Sequence, residues 1–361
     1  MDDLNIWDVV VDYNKQYVEL YFNYVNMKRV KMALHNNKYN KLKPLLDKGN
    51  ETMVYCALCY AIHAKLDKTA KKIIKDFYCD PAKKLDINKN NAEIFKIAIY
   101  YNRYKIIKLL INSGVYLNTE NDFALIKYCS VGNCEMVKLL LNNGADFYAK
   151  DCLSLVYAAN NGHIEIVKLL IEKGMTKKTI SLGIDKHTAT NFDLAMLGAA
   201  KNNHTQIVLY LLDLGADVTI NNSEALVRSA ENGNAELVKV FLDHGADANI
   251  LDGIVLKKSV QNGHINVVKI LVDYQTDGKY VCDLGINDSA ALRWAVLRGH
   301  FDIVKMLLES KDVDGRYRCN VNADNNDAYR LADKFGHSDI AKLLIEYGGS
   351  AEIPKDSKQN I

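Results

Sequence analysis

A short turn of the Asn-Gly-His kind recurs eight times in this chain, and an apolar stretch related to Val-Lys-Leu-Leu follows each copy within three or four residues. The clearest copy, AANNGHIEIVKLLIEKG, runs from Ala158 to Gly174. The turn residues are Asn102, Gly132, Gly162, Asn203, Gly233, Gly263, Gly299 and Gly336, so successive separations are 30, 30, 41, 30, 30, 36 and 37 residues. A unit this short cannot bury its own apolar face. Stacking on its neighbours is the way out, and a fixed short period marks a solenoid.

Within one unit the pattern predicts two antiparallel helices. Leu155, Ala158 and Ala159 fall at i, i+3 and i+4, one face of a short helix that Asn161-Gly162 ends. Ile166, Val167, Leu169, Leu170 and Ile171 then give a second helix an apolar face wide enough to be buried by neighbours on both sides. Gly174 stops it, as Gly144, Gly215, Gly245 and Gly348 stop theirs, because glycine enters the left-handed C-terminal conformation without a Cβ clash. Small residues (Ala159, Ala200, Ala230, with Cys129 and Val260 as variants) mark the face of the first helix that approaches its neighbour most closely.

At 361 residues, 49% of them hydrophobic, the chain is long for one globular core, a limit that a solenoid escapes. Lysine plus arginine (46) nearly cancels aspartate plus glutamate (44). The first 100 residues hold 17 basic and 12 acidic side chains and the remainder 29 and 32, so neither part is a polyelectrolyte that would seek nucleic acid or a membrane surface. The acidic start MDDLNIWDVVVDYNK does not resemble a secretory signal, and every apolar run breaks before the ~20 residues that span a bilayer. A soluble intracellular protein, its eight cysteines reduced, is expected.

These units resemble ankyrin repeats. The likeness rests on the Ala-Ala-x-x-Gly-His turn at Ala158 to His163, the Ile-Val-x-Leu-Leu helix at Ile166 to Leu170, and the closing Gly-Ala-Asp at Gly144-Ala145-Asp146, Gly215-Ala216-Asp217 and Gly245-Ala246-Asp247. It implies an all-α helix-turn-helix solenoid with short inter-repeat loops. The expected division is an N-terminal helical cap over residues 1–33, an array of about ten units over 34–349 whose first two are degenerate, and a tail over 350–361. The short period, with abundant Asn, Lys, Ile and Tyr, is further similar to the multicopy ankyrin proteins of giant amoeba-infecting DNA viruses. Neither terminal segment reads as an F-box.

The chain departs from the family pattern at its connections. The family's unit is ~33 residues opening on Thr-Pro-Leu-His, whereas here the corresponding stretches are LSLV at Leu153, EALV at Glu224 and GIVL at Gly253. The projecting finger is therefore expected to shrink to a tight loop. Three connections instead grow, over 175–193, 275–290 and 311–327, and two of them carry Asp277-Gly278-Lys279-Tyr280-Val281-Cys282 and Asp314-Gly315-Arg316-Tyr317-Arg318-Cys319. They read as surface insertions copied by duplication of a unit, with a binding role as the alternative.

Few residues offer chemistry. Cys56, Cys59 and His63 have a CxxC spacing, but they lie along one face of a first helix and read as core thiols. Cys282 and Cys319 read as exposed free thiols. His163, His204, His264, His300 and His337 recur at one place in the turn, where an imidazole can bridge the backbones of adjacent units; a catalytic base is needed once, not in every unit. No phosphate loop, nucleophile triad or isolated carboxylate pair stands out. No catalytic residue, cofactor or metal ligand is assigned.

The resemblance implies a monomeric, non-enzymatic scaffold for protein partners, without affinity for nucleic acid or membrane. In the family the two residues before the turn face the concave groove. Here they are Tyr100-Tyr101, Ser130-Val131, Asn160-Asn161, Lys201-Asn202, Glu231-Asn232, Gln261-Asn262, Leu297-Arg298 and Lys334-Phe335. This row changes chemistry from unit to unit while the core face does not, with Tyr100-Tyr101 and Leu297-Arg298 as the favoured anchors. A metal-binding or catalytic protein built on the Cys-bearing loops, and a structural virion component, are the alternatives.

Overall fold

The structure, a computed structural model, describes residues 27–36, 38–80, 83, 85–118, 122–181 and 188–350; the expected cap and tail fall largely outside them. It comprises two compact units, Met1–Tyr128 with Glu135–Ala149, and Cys129–Cys134 with Lys150–Ile361. Among the described residues the helices succeed one another as ten antiparallel pairs, from Met27–His35 with Tyr39–Asp47 to Ala323–Lys334 with Ser338–Glu346. This is an all-α helix-turn-helix solenoid.

In the first unit, Glu51–His63 packs on Asp67–Ile73 and on Lys89–Tyr100, and Asp67–Ile73 on Tyr104–Asn112. Cys56 and Cys59 are buried on Glu51–His63, and burial pushes the Cys56 thiol up to about 12. In the second unit the first helices Asn191–Lys201, Ile220–Glu231, Ile250–Gln261, Ile286–Leu297 and Ala323–Lys334 form one layer. The second helices Ala235–Asp243, Ile265–Asp273, Phe301–Glu309 and Ser338–Glu346 form the other. Leu155, Ala158, Ala159, Val167 and Leu170 are fully buried in the interleaved core, as are Cys129, Ala200, Ala230 and Val260.

The closing glycines behave as their positions require. Gly144, Gly215 and Gly245 take φ of 89°, 84° and 82°, and the next residue's N–H donates back to the helix, from Ala145 to Leu140 O and from Ala246 to Phe241 O. The shortened finger that follows holds an Asx turn, in which Asp146, Asp217 and Asp247 Oδ1 accept from the N–H two residues on at 2.8 Å. One turn of left-handed backbone then leads into the first helix, as at Lys150-Asp151-Cys152 and Asn287-Asp288-Ser289. Asp, Asn, Ser and Gly dominate these positions because they tolerate positive φ best.

The described residues of the grown connections are paired. Thr179–Ser181 pairs antiparallel with Thr188–Thr190, and Gln275–Thr276 with Lys279–Tyr280; Lys311 bridges to Tyr317. Tyr274 and Ser310 stand where other units have the closing glycine region, and both leave the helix in extended conformation. Arg318 ties the last two connections together. It donates to Val272 O and Cys282 O at 2.6 Å and to Ser310 Oγ at 3.1 Å, and its guanidinium lies 3.8 Å from the Tyr280 ring centre. Beneath it Cys282 and Cys319 are buried, at 3% and 6% exposure, so the expectation of exposed thiols is corrected. The hairpins fold over them, and burial pushes both thiols up to about 12, outweighing the pull of Arg318.

Candidate functional site: the exposed face of the first helices

Each inter-helix turn is built by two units. Gly162 takes φ 79°, and the imidazole of His204 from the next unit lies against it, so that a Cβ there would sit 2.6 Å from Cε1. Gly132 with His163, Gly233 with His264, Gly263 with His300 and Gly299 with His337 repeat this contact. The ring is anchored by donation to the end of the preceding first helix: Nε2 of His163, His204 and His264 lies 3.0, 3.1 and 2.8 Å from the carbonyls of Ser130, Asn160 and Glu231. A carbonyl only accepts, which places the proton on Nε2. The histidines are bridges, as their repetition implied. His300 and His337 lie against their glycines without that carbonyl bond among the described residues, and His300 Nε2 is buried there.

The asparagines of the pre-turn row join the same ladder. The side-chain amides of Asn161, Asn232 and Asn262 donate to Ser130 O, Lys201 O and Glu231 O at 3.1, 2.8 and 2.9 Å. Asn202 donates to Asn160 Oδ1 at 2.9 Å. Ser130 O and Glu231 O thus each receive an asparagine and a histidine from the following unit. Half of the candidate pairs therefore carry a residue that holds neighbours together while remaining on the surface.

The other candidates are placed as follows. Val131, Lys201, Arg298, Lys334 and Phe335 are exposed; Ser130, Asn160, Glu231, Gln261 and Leu297 are half-exposed. Tyr100 and Tyr101, in the first unit, meet edge-to-face at 5.0 Å, and Tyr101 also packs on His63 at 4.8 Å. Lys127 donates to the carbonyls of Ile99 and Tyr100 beneath them. This pair is largely occupied by its own neighbours.

The pre-turn row has a flank that the sequence reading missed. Arg228, Lys257, Lys258, Arg293, Trp294 and Arg330 lie one helical turn before it on the same exposed side. Spacings of four and five residues from the pre-turn pair would have found them. Lys258 pairs with Glu231 at 2.8 Å and Arg228 with Glu224 and Glu231 at 3.2 and 3.0 Å; together they hold the Glu231 carboxyl below its ordinary range. Arg293 reaches Asp324 and Asp327 of the next unit.

Among the described residues no three histidine, cysteine, aspartate or glutamate side chains gather closely enough to hold a metal ion, and no helix is long and apolar enough to cross a membrane. The surface is a ribbed face of changing side chains on a fixed core. Residues 97–181, 177–252, 196–281, 226–317 and 256–356 match the family profile described as ankyrin repeats (3 copies), well over half of the chain. The chain belongs to the ankyrin repeat family. Ankyrin repeats are generally protein–protein interaction modules, and typically non-enzymatic. No curated protein matched this ankyrin repeat chain at a significant level.

Proposed function

We propose that this ankyrin repeat protein is a non-enzymatic, monomeric scaffold that holds one or a few polypeptide partners on the exposed face of its first helices. One observation carries the reading: the core positions of successive first helices are repeatedly Leu and Ala, while the exposed positions outside the asparagine ladder change from Lys201 through Arg228 and Trp294 to Phe335. Packing fixes the first set, and only recognition gives the second a reason to differ. The proposed setting is the cytoplasm of an infected cell, with host or viral proteins as partners. The short period and the Asn- and Lys-rich composition support that origin. In this reading residues 1–33 cap the array.

Affinity capture with the full chain tests it. A Lys201→Glu/Leu297→Ala/Phe335→Ala variant changes exposed or half-exposed side chains that make no inter-unit hydrogen bond. It is expected to melt like the parent and to lose the captured partners. Equal recovery of every partner would remove this face from the proposal.

A further inference from the structure

The exposed face of the second unit is electrostatically uneven. On Ile220–Glu231 the carboxylates Glu224 and Glu231 are both taken by Arg228, and Glu231 also by Lys258. On Ala323–Lys334, Asp324 and Asp327 are taken by Arg293, and Asp327 also by Arg330 at 3.0 Å. The groove-facing carboxylates of these two helices are therefore compensated. Between them, Ile250–Gln261 and Ile286–Leu297 present Ile254, Lys257, Lys258 and Gln261 beside Ala290, Arg293, Trp294 and Leu297, with no carboxylate of their own on these rows. Lys258 and Arg293 borrow theirs from the outer neighbours. Two cations of this central seam have no carboxylate partner among the described residues: Lys257, whose Nζ stands 5.3 Å from the Trp294 ring centre, and the exposed Arg298 one turn beyond that indole.

We infer that this seam recognises an acidic segment of a partner polypeptide, its carboxylates meeting Lys257 and Arg298 and one apolar side chain lying on Trp294 and Leu297. The inference rests on the scaffold function above and names the partner's chemistry. Charge complementarity selects the occupant. A basic segment would meet two uncompensated cations, and a second copy would bring the same cationic seam. Tryptophan and arginine are also the side chains that concentrate binding energy at interfaces. Nucleic acid shares the negative charge but needs a longer cationic track, which the paired carboxylates on either side interrupt.

The test uses fluorescence anisotropy on the full chain with a short fluorescein-labelled peptide of glutamates around a central phenylalanine. The peptide is expected to bind at low ionic strength and to weaken as salt screens the contact. Lys257→Glu/Arg298→Glu is expected to lower its affinity about tenfold or more with an unchanged thermal melt, since neither side chain is in the core. The same peptide with lysines in place of glutamates is expected not to bind. Absence of acidic-peptide binding, equal affinity in the reversed variant, equal binding of the lysine peptide, or tighter binding of a single-stranded oligonucleotide would each overturn the inference. Capture of partners that is lost in Leu297→Ala/Phe335→Ala, alongside failure of the acidic peptide, would leave the scaffold standing and remove only the acidic specificity.

Discussion

At the scale of single residues, the turn couples two positions a whole unit apart. Where one unit has glycine in the turn, the next has histidine against it: Gly132 and His163, Gly162 and His204, Gly233 and His264, Gly263 and His300, Gly299 and His337. Where the turn residue is Asn203, at φ 61°, the next unit has Asn234, whose amide reaches Asn203 Oδ1 at 3.3 Å. A Cβ and an imidazole compete for one space. Gly162→Ala is therefore expected to cost about 2–4 kcal/mol, combining backbone strain with overpacking, whereas Gly245→Ala, with nothing within 4 Å of the new Cβ, should cost about 1–2 kcal/mol; chemical denaturation compares them. In a double-mutant cycle, Asn234→His should destabilise the parent but do so less in an Asn203→Gly background. Additivity of the two changes would refute the coupling. Asp122 gives a pH dependence of a different kind. Its carboxylate, buried at φ 58°, accepts the Asp146 N–H at 3.0 Å, and burial raises its pKa from 3.8 to about 6. The folded state thus holds this proton more tightly than the unfolded chain, so its contribution is present below about pH 4 and is lost as pH rises through 6. Asp122→Asn keeps the acceptor without the charge. It should raise stability by about 1–3 kcal/mol at pH 7 and hardly at pH 4, as read from denaturation midpoints at the two values.

At the scale of elements, the same reasoning separates what could be read in the sequence from what could not. The helix pairs were legible because apolar periodicity, turn glycines and closing glycines all report short-range constraints, and each of those residues ended where its conformation demanded. The cysteine-bearing connections were not. Their burial depends on Arg318, which occupies the place that Val281 holds in the preceding copy and reaches back to Val272 and Cys282. No local pattern announces that reach. Arg318→Ala should cost about 2–4 kcal/mol by leaving buried carbonyls unpaired and the Tyr280 ring uncovered, and Arg318→Lys should recover little because one ammonium cannot replace the fork. Thiol titration at pH 8 reads the consequence directly. In the parent the exposed Cys79 reacts and Cys282 and Cys319 stay silent, and in Arg318→Ala both become reactive. The face proposed for binding was half legible for a related reason. Position before the turn revealed the pre-turn row, but the asparagines' inter-unit bonds, and the ion pairs that leave Lys257 and Arg298 uncompensated, exist only once neighbouring helices are laid side by side.

At the scale of the molecule, stability is a sum of pair energies and nearest-neighbour terms, so damage has a place as well as a size. Leu170 shows how. It is fully buried on Ile164–Glu172, which packs on Thr205–Asp213 in the second unit. Leu170→Ala leaves a cavity in that packing and should cost about 2–5 kcal/mol. The ladder of His204 and Asn202 onto Asn160 links that pair to the next one, so the loss should extend from Ala149–Glu172 into Asn191–Asp213. The pair Ala323–Lys334 with Ser338–Glu346 touches neither. Native-state hydrogen exchange resolved along the chain is expected to show protection falling first and furthest in the two pairs flanking the cavity and least in that last pair. A uniform drop across the second unit would instead show that its helices open together, and the additive description of the stack would fail.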